Sequence, residues 1–176
     1  MRITLVPFQG VDSQVVEWLM EDLVSRGVDV RHCAPLPLPD AADPLRGQYR
    51  AGPLLEVARG TDGDHVLGIT DRDLYTDGLN FVFGVAEMPG KAVVFSTHRL
   101  AFGAGRERLR ERLLKEVQHE LGHTLGLPHC PEPRCVMHFS NSLDDTDHKE
   151  ADLCARCRRR LSPEGRRLVG TSWKER

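Results

Sequence analysis

The amino-acid sequence predicts a single α/β domain built on a mostly parallel, twisted sheet with one antiparallel edge strand. Three observations predict this class: a strand–helix–strand opening, a later pair of strands joined by a very short connection, and one long amphipathic helix. The 176 residues are enough for one domain with a buried core. The composition, 40% hydrophobic and 28% charged, is typical of a globular protein and not of a disordered one.

The first part of the chain is predicted to form two strands around a helix. An apolar, β-branched run over 2–8 indicates the first strand. Apolar residues then recur at helical spacing from Val11 until Gly27 ends the helix, and 28–33 follows as the second strand. Because strand–helix–strand units form parallel pairs with a right-handed crossover, this opening favours a parallel sheet.

The middle of the chain is predicted to add three more strands. A proline-rich loop over 34–44 and a helix over 48–59 precede the third strand, over 65–70. The apolar runs over 79–87 and 92–97 are then joined by only four residues. A parallel crossover needs a dozen or more residues, so these last two strands must pair antiparallel.

A long helix is predicted over 106–125, with a leucine or valine at every fourth position. After Gly126 the regular pattern fades until a short helix near 162–168, which begins with a serine cap followed by proline. We therefore divide one compact domain into an N-terminal α/β subdomain over 1–126, which includes the long helix, and an irregular C-terminal subdomain over 127–176.

Charge and hydropathy exclude several classes of protein. The 24 Lys and Arg residues nearly balance the 26 Asp and Glu, for a net charge of -2 and a pI near 6.4, which argues against wholesale nucleic-acid binding. No apolar run approaches the roughly 18 residues of a membrane-spanning helix, and the N-terminus lacks a signal-peptide core. We therefore expect a monomeric protein of the cytoplasm with no membrane partner.

One pattern in the long helix has the spacing of a metal site. His119, Glu120 and His123 form HExxH, and Gly126 and His129 extend it to HExxHxxGxxH. Four helical residues turn about 400°, so the two helical histidines project from one face and can share an ion. The glycine permits a left-handed turn that returns the third histidine to them. Three imidazoles and an open fourth position describe a catalytic zinc site, with the glutamate as general base.

Two alternatives for this pattern stay open. HExxH alone is only moderately specific, and its histidines could lie on the solvated face of an amphipathic helix. A site that binds zinc but has lost turnover would show the same residues. The full pattern, with Gly126 and His129 at their required offsets, favours the catalytic interpretation.

Four of the five cysteines lie in the last quarter of the chain as two pairs, Cys130 with Cys135 and Cys154 with Cys157. Two such pairs suit a tetrahedral thiolate zinc site, which would order a region with little apolar patterning. Two disulfides or four independent thiols are the alternatives. The missing export signal favours a reducing compartment, and hence zinc.

The combined pattern HExxHxxGxxH-C-x4-C-x-M followed by CxxC resembles the archaemetzincins, a family of zinc peptidases in the metzincin clan. The resemblance implies a metzincin-like (zincin) fold. It implies His119, His123 and His129 as ligands of the catalytic zinc, with Glu120 as the catalytic acid and base. It also implies that Met137 lies beneath the metal in a Met-turn.

The resemblance implies two further features. A second, structural zinc ion would be bound by Cys130, Cys135, Cys154 and Cys157. By chain order, the antiparallel edge strand of the clan would be 81–87, and it would hold an extended substrate by backbone pairing. The substrate-binding residues are accordingly Phe81, Val82, Phe83 and Gly84.

The sequence thus predicts a zinc-dependent metallopeptidase that hydrolyses peptide bonds in peptides or proteins, with two zinc ions per chain. Two other functions remain as alternatives. One is a catalytically silent zinc scaffold. The other is a nucleic-acid-binding module that uses the four-cysteine knuckle and the arginine-rich flank at 158–160. The near-neutral charge and the intact Glu120 favour the peptidase.

Overall fold

The structure, a computed structural model, describes residues 1–169 of the chain. The elements of its first part are β1 (Arg2–Pro7), α1 (Ser13–Ser25), β2 (Asp29–His32), β3 (Ala42–Asp43), β4 (Gln48–Arg50) and α2 (Ala51–Gly60). Those that follow are β5 (His65–Thr70), β6 (Leu74–Tyr75), β7 (Gly84–Ala86), β8 (Ala92–Ser96), α3 (Arg106–Thr124), α4 (Leu143–His148), α5 (Ala155–Arg159) and α6 (Pro163–Leu168). None of the helices in this described part is both long and apolar enough to cross a membrane.

Five strands form the central sheet in the order β2-β1-β5-β8-β7. The first four are parallel, and β7 pairs antiparallel with β8, with Val85 opposite Val94. The predicted sheet, mostly parallel with one antiparallel edge strand, is therefore confirmed. Its physical reason is also the predicted one, because the short connection between β7 and β8 leaves no room for a crossover helix.

Alternate residues of the central strands face opposite layers of helices. Ile3 and Leu5 of β1 point to the side covered by α1 and α3, where the largest apolar cluster lies. Val6 points to the other side, where it packs with Ala58 of α2. Both faces of the sheet are covered, which explains why its strands appear in the sequence as nearly continuous apolar runs.

Two predicted elements differ from the structure in their extent. The helix predicted over 48–59 starts later, because its first three residues form β4, which pairs with β3 and β6 in a separate three-stranded sheet. The strand predicted over 79–87 is reduced to β7. Val82 instead donates its backbone N–H to the carbonyl of Leu74 at 2.9 Å, which joins this segment to the small sheet.

The region after α3 contains two short helices, α4 and α5, where the sequence predicts irregular structure. α4 lacks apolar periodicity but begins with a capping box, in which the side chains of Ser142 and Asp145 accept each other's backbone N–H groups. Arg112 of α3, whose side chain is 5% exposed, donates to both carboxylate oxygens of Asp147 at 2.6 and 2.7 Å. This pair fixes α4 to the long helix. α6 lies where the sequence predicts a helix.

Candidate metal centres

The three histidines of the HExxHxxGxxH pattern converge at the C-terminal end of α3. The Nε2 atoms of His119 and His123 are 3.1 Å apart. Gly126 adopts a φ of 82°, which a glycine tolerates without strain, and the chain turns there. One potential ligand atom from each histidine, including His129, lies within 4.8 Å of the others. The three side chains could therefore hold one metal ion.

Main-chain carbonyls orient two of these imidazoles. The Nδ1 atom of His119 donates to the carbonyl of Val136, and that of His123 to the carbonyl of Leu127, both at 2.8 Å. A carbonyl can only accept, so each Nε2 keeps its lone pair free for a cation. Burial also lowers the pKa of all three histidines and so favours the neutral form that binds metals.

Glu120 lies in α3 directly after the first of these histidines and is 4% exposed. Its side chain is hydrogen-bonded to Glu116, and burial together with this neighbouring carboxyl group raises the pKa of Glu120. Its Oε2 atom has no hydrogen-bond partner among the described residues. A buried carboxyl oxygen without a partner, beside three neutral imidazoles, fits a zinc site with an open position for water.

Met137 packs against the turn of α3 that contains the two helical histidines. It is fully buried, and a Cβ atom on Gly122 would collide with its sulfur. A backbone hydrogen bond ties Met137 to the segment of the third histidine, because the N–H of Cys130 donates to the Met137 carbonyl at 2.8 Å. The absence of a side chain at Gly122 is thus what allows the methionine to approach the helix.

We expect the substitution Gly122→Ala to destabilise the protein by about 1–3 kcal/mol, because the added methyl group overpacks the contact with Met137. The free energy of unfolding in urea measures this effect. Gly60→Ala is a matched control, since Gly60 also lies in a helix but a Cβ there meets no atom within 4 Å. Equal losses in the two variants would contradict the proposed contact.

The four cysteines form a second cluster close to the histidines in the chain. Their Sγ atoms lie within 4.8 Å of one another, and those of Cys130 and Cys154 are 3.8 Å apart. All five cysteines are among the described residues and none forms a disulfide, so the two-disulfide alternative is wrong for this structure. The four thiols could hold one tetrahedral ion.

Hydrogen bonds favour the thiolate form of Cys130, whereas burial raises the pKa of Cys135 to about 11 and also raises that of Cys157. The backbone N–H of Cys154 donates to the sulfur of Cys135 at 3.3 Å, and Arg156 donates to that of Cys130 at 3.2 Å. Burial raises the pKa of Cys130, but hydrogen bonds from the Glu132 backbone and from Arg156 outweigh it and lower the pKa to about 7. A thiolate is the form that binds zinc.

The three histidines and Glu120 line a cleft of about 520 Å³. All four residues predicted to bind substrate line it, namely Phe81, Val82, Phe83 and Gly84. Only the last of them belongs to β7, which lies at the edge of the sheet. A Cβ atom on Gly84 would approach Glu116 Oε1 to 2.8 Å and Glu120 Cγ to 3.1 Å, so the backbone of β7 lies directly against the two glutamates.

Sequence reasoning missed two charged residues that line this cleft, Glu116 and Lys149. The sequence could have indicated Glu116, because it precedes Glu120 by four residues and so lies on the same face of the helix. Nothing in the sequence indicated Lys149, since it follows the short helix α4 in a region without apolar periodicity.

Comparisons with known proteins agree with this geometry. A family model described as Peptidase family M54 matches residues 53–163, which include both clusters. The archaemetzincin of Methanopyrus kandleri is 52% identical over 115 residues, which span 64% of this chain and 65% of that protein. The archaemetzincin of Pyrococcus furiosus is 42% identical over 175 residues, which span 90% and 91%. The crystal structure of the Archaeoglobus fulgidus archaemetzincin superposes with a TM-score of 0.83 at 36% identity, and the match covers 92% of this chain and 100% of that one.

Proposed function

Because this chain belongs to peptidase family M54 and is a zinc metallopeptidase, we propose that Glu120 is its catalytic base and that His119, His123 and His129 hold the catalytic zinc ion. One observation supports this most directly. The unpartnered, buried Oε2 atom of Glu120 and the three converging imidazoles belong to one cleft. This donor set matches catalytic zinc sites, which have three protein ligands and one open position.

The residues of this chain then have distinct roles in hydrolysis. A bound zinc ion supplies Lewis acidity, which polarises a peptide carbonyl and lowers the pKa of water to about 7. Glu120 accepts the proton of the attacking water and later delivers it to the nitrogen of the leaving amine. Glu116 holds the Glu120 carboxyl group in position through their hydrogen bond. Met137 supports the helix turn that contains His119 and His123.

The substrate is a peptide or a protein, as membership of a peptidase family implies. We propose that an extended segment of it pairs with the outer edge of β7 and contacts Phe81, Val82, Phe83 and Gly84. Backbone pairing there would place the bond to be cleaved beside the two glutamates, because Gly84 lies against them.

We propose a second zinc ion, structural rather than catalytic, on Cys130, Cys135, Cys154 and Cys157. Closed four-thiolate sites of this kind stabilise folds that have few apolar contacts. In this proposal residues 1–126 supply the sheet and the helix with two histidines. Residues 127–176 supply the third histidine, the methionine and the four cysteines of the same catalytic domain.

Incubation of the zinc-loaded protein with a mixed peptide library, read by mass spectrometry, tests the proposal. We expect defined cleavage products that disappear when the catalytic zinc is removed by a chelator and return when zinc is restored. A protein that contains zinc at the histidines and cleaves no member of the library would instead be a catalytically silent zinc scaffold.

A further inference from the structure

Lys149 is a buried lysine whose ammonium group lacks a full set of acceptors. It is 2% exposed and lines the cleft. Its Nζ atom donates to the His138 carbonyl at 3.3 Å. The Nδ1 atom of His119 is 3.5 Å away but is itself a donor to Val136, so it cannot accept. Within residues 1–169 no carboxylate oxygen forms an ion pair with this ammonium group, which leaves two of its three N–H donors unfilled.

The hydroxyl group of Ser140 is a second buried polar group in the same cleft. Its Oγ atom has no hydrogen-bond partner in the described part of the chain, and Ser140 lines the cleft between Phe139 and Asn141. Buried polar groups are normally paired, and leaving them unpaired is costly. A ligand that accepts hydrogen bonds from both groups would remove this cost.

Neutralisation of Glu116 and Glu120 does not explain the position of Lys149. A lysine with that role is expected to contact one of the carboxylates, yet Glu116 and Glu120 bond to each other instead. Burial lowers the pKa of Lys149, and the negative charge of these two side chains opposes that shift at longer range. Geometry therefore identifies a buried lysine in the lining of the substrate cleft that has N–H donors without acceptors.

We propose that Lys149 and Ser140 bind the carboxylate of an aspartate or glutamate side chain of the substrate, next to the bond that is cleaved. This inference rests on the proposed function, because the acidic residue reaches the pocket only if a peptide lies in this cleft. The carboxylate would accept charge-assisted hydrogen bonds from the ammonium group and a further one from the hydroxyl. The exposed apolar side chains of Leu79, Met88 and Phe139 line the same cleft and suit apolar neighbours of the acidic residue.

A binding measurement that needs no turnover tests this pocket. Two hexapeptides that differ only in a central Glu or Gln are titrated into zinc-loaded Glu120→Gln protein by calorimetry. We expect the Glu peptide to bind at least about tenfold more tightly than the Gln peptide. The ratio of the two dissociation constants should fall to near one when Lys149→Met is added. Equal affinities for the two peptides, a ratio unchanged by Lys149→Met, or no binding of either peptide would overturn the inference.

Two further variants show whether a loss of preference for the Glu peptide comes from the pocket or from a disturbed fold. Ser140→Ala, at a partly exposed position, is expected to reduce the ratio about threefold. Lys91→Met is the matched control, because the ammonium group of Lys91 bonds to the Thr61 carbonyl outside the cleft, and it should leave the ratio unchanged. A protein that cleaves peptides without preferring the acidic one overturns only the pocket. If the Glu120→Gln protein prefers the Glu peptide but the zinc-loaded parent protein cleaves no peptide, only the proposed function is overturned.

Discussion

Replacement of Glu120 by glutamine is expected to lower kcat/KM for peptide hydrolysis by roughly 10²- to 10⁴-fold, the contribution of a positioned general base. The amide keeps the size of the side chain but cannot accept the proton of the attacking water. Because the carboxyl group contacts none of the three histidines through a hydrogen bond in the structure, zinc content should not change. Steady-state kinetics and elemental analysis of the same preparation measure the two quantities.

Glu107→Gln is the matched control for this prediction. Glu107 lies in the first turn of the same helix and is exposed, so its replacement should leave hydrolysis within about twofold of the parent. If Glu120→Gln cleaved as fast as Glu107→Gln, the general base would have to be another group. If instead it lost its zinc, Glu120 would be a structural residue of the metal site.

The histidine cluster could be predicted because it depends on local geometry. His119 and His123 are one helical turn apart, and any helix through them aligns their side chains. The return of His129 requires only that the helix end at Gly126 and that the chain reverse there, which a glycine with positive φ permits. The site is therefore specified within eleven consecutive residues of the printed sequence.

The contribution of Lys149 and Ser140 to the cleft could not be predicted, because it depends on contacts between distant residues. Lys149 directly follows α4, which docks on α3 through Arg112 and Asp147, two residues that are 35 positions apart. Ser140 has no periodic neighbours that would indicate its burial. Specificity, in this interpretation, depends on tertiary packing, whereas the chemistry of the site depends on one helix and one turn.

The fold likewise has one part that the sequence predicts and one part that it does not. The crossover rule and the short connection before β8 were sufficient to predict the central sheet. The small sheet was not predicted, because β3, β4 and β6 contain only two or three residues each and show no alternation. Tyr49 lies within the helix predicted over 48–59 but belongs to β4, and its five-residue separation from Leu54 is not the three- or four-residue spacing of one helix face. Short elements of this kind are determined by their partners rather than by their own sequence.

The cysteine cluster leads to the second large effect that we expect. Cys157→Ser removes a buried thiol from the cluster, so the protein should bind about one zinc ion instead of two. Its free energy of unfolding should fall by several kcal/mol, a part of the roughly 10 kcal/mol that zinc contributes in zinc-finger peptides. Native mass spectrometry counts the ions, and thermal unfolding measures the stability.

The fifth cysteine supplies the control. Cys33 is only partly buried and lies outside the cluster, so Cys33→Ser should retain both ions and the parent stability. Since Cys130 follows His129 directly and its N–H holds the Met137 carbonyl, disorder in the cysteine site would also displace the third histidine and the methionine. We therefore expect Cys157→Ser to lose peptidase activity although every residue of the histidine site is intact. Full activity with a single bound zinc would show that the two sites are independent.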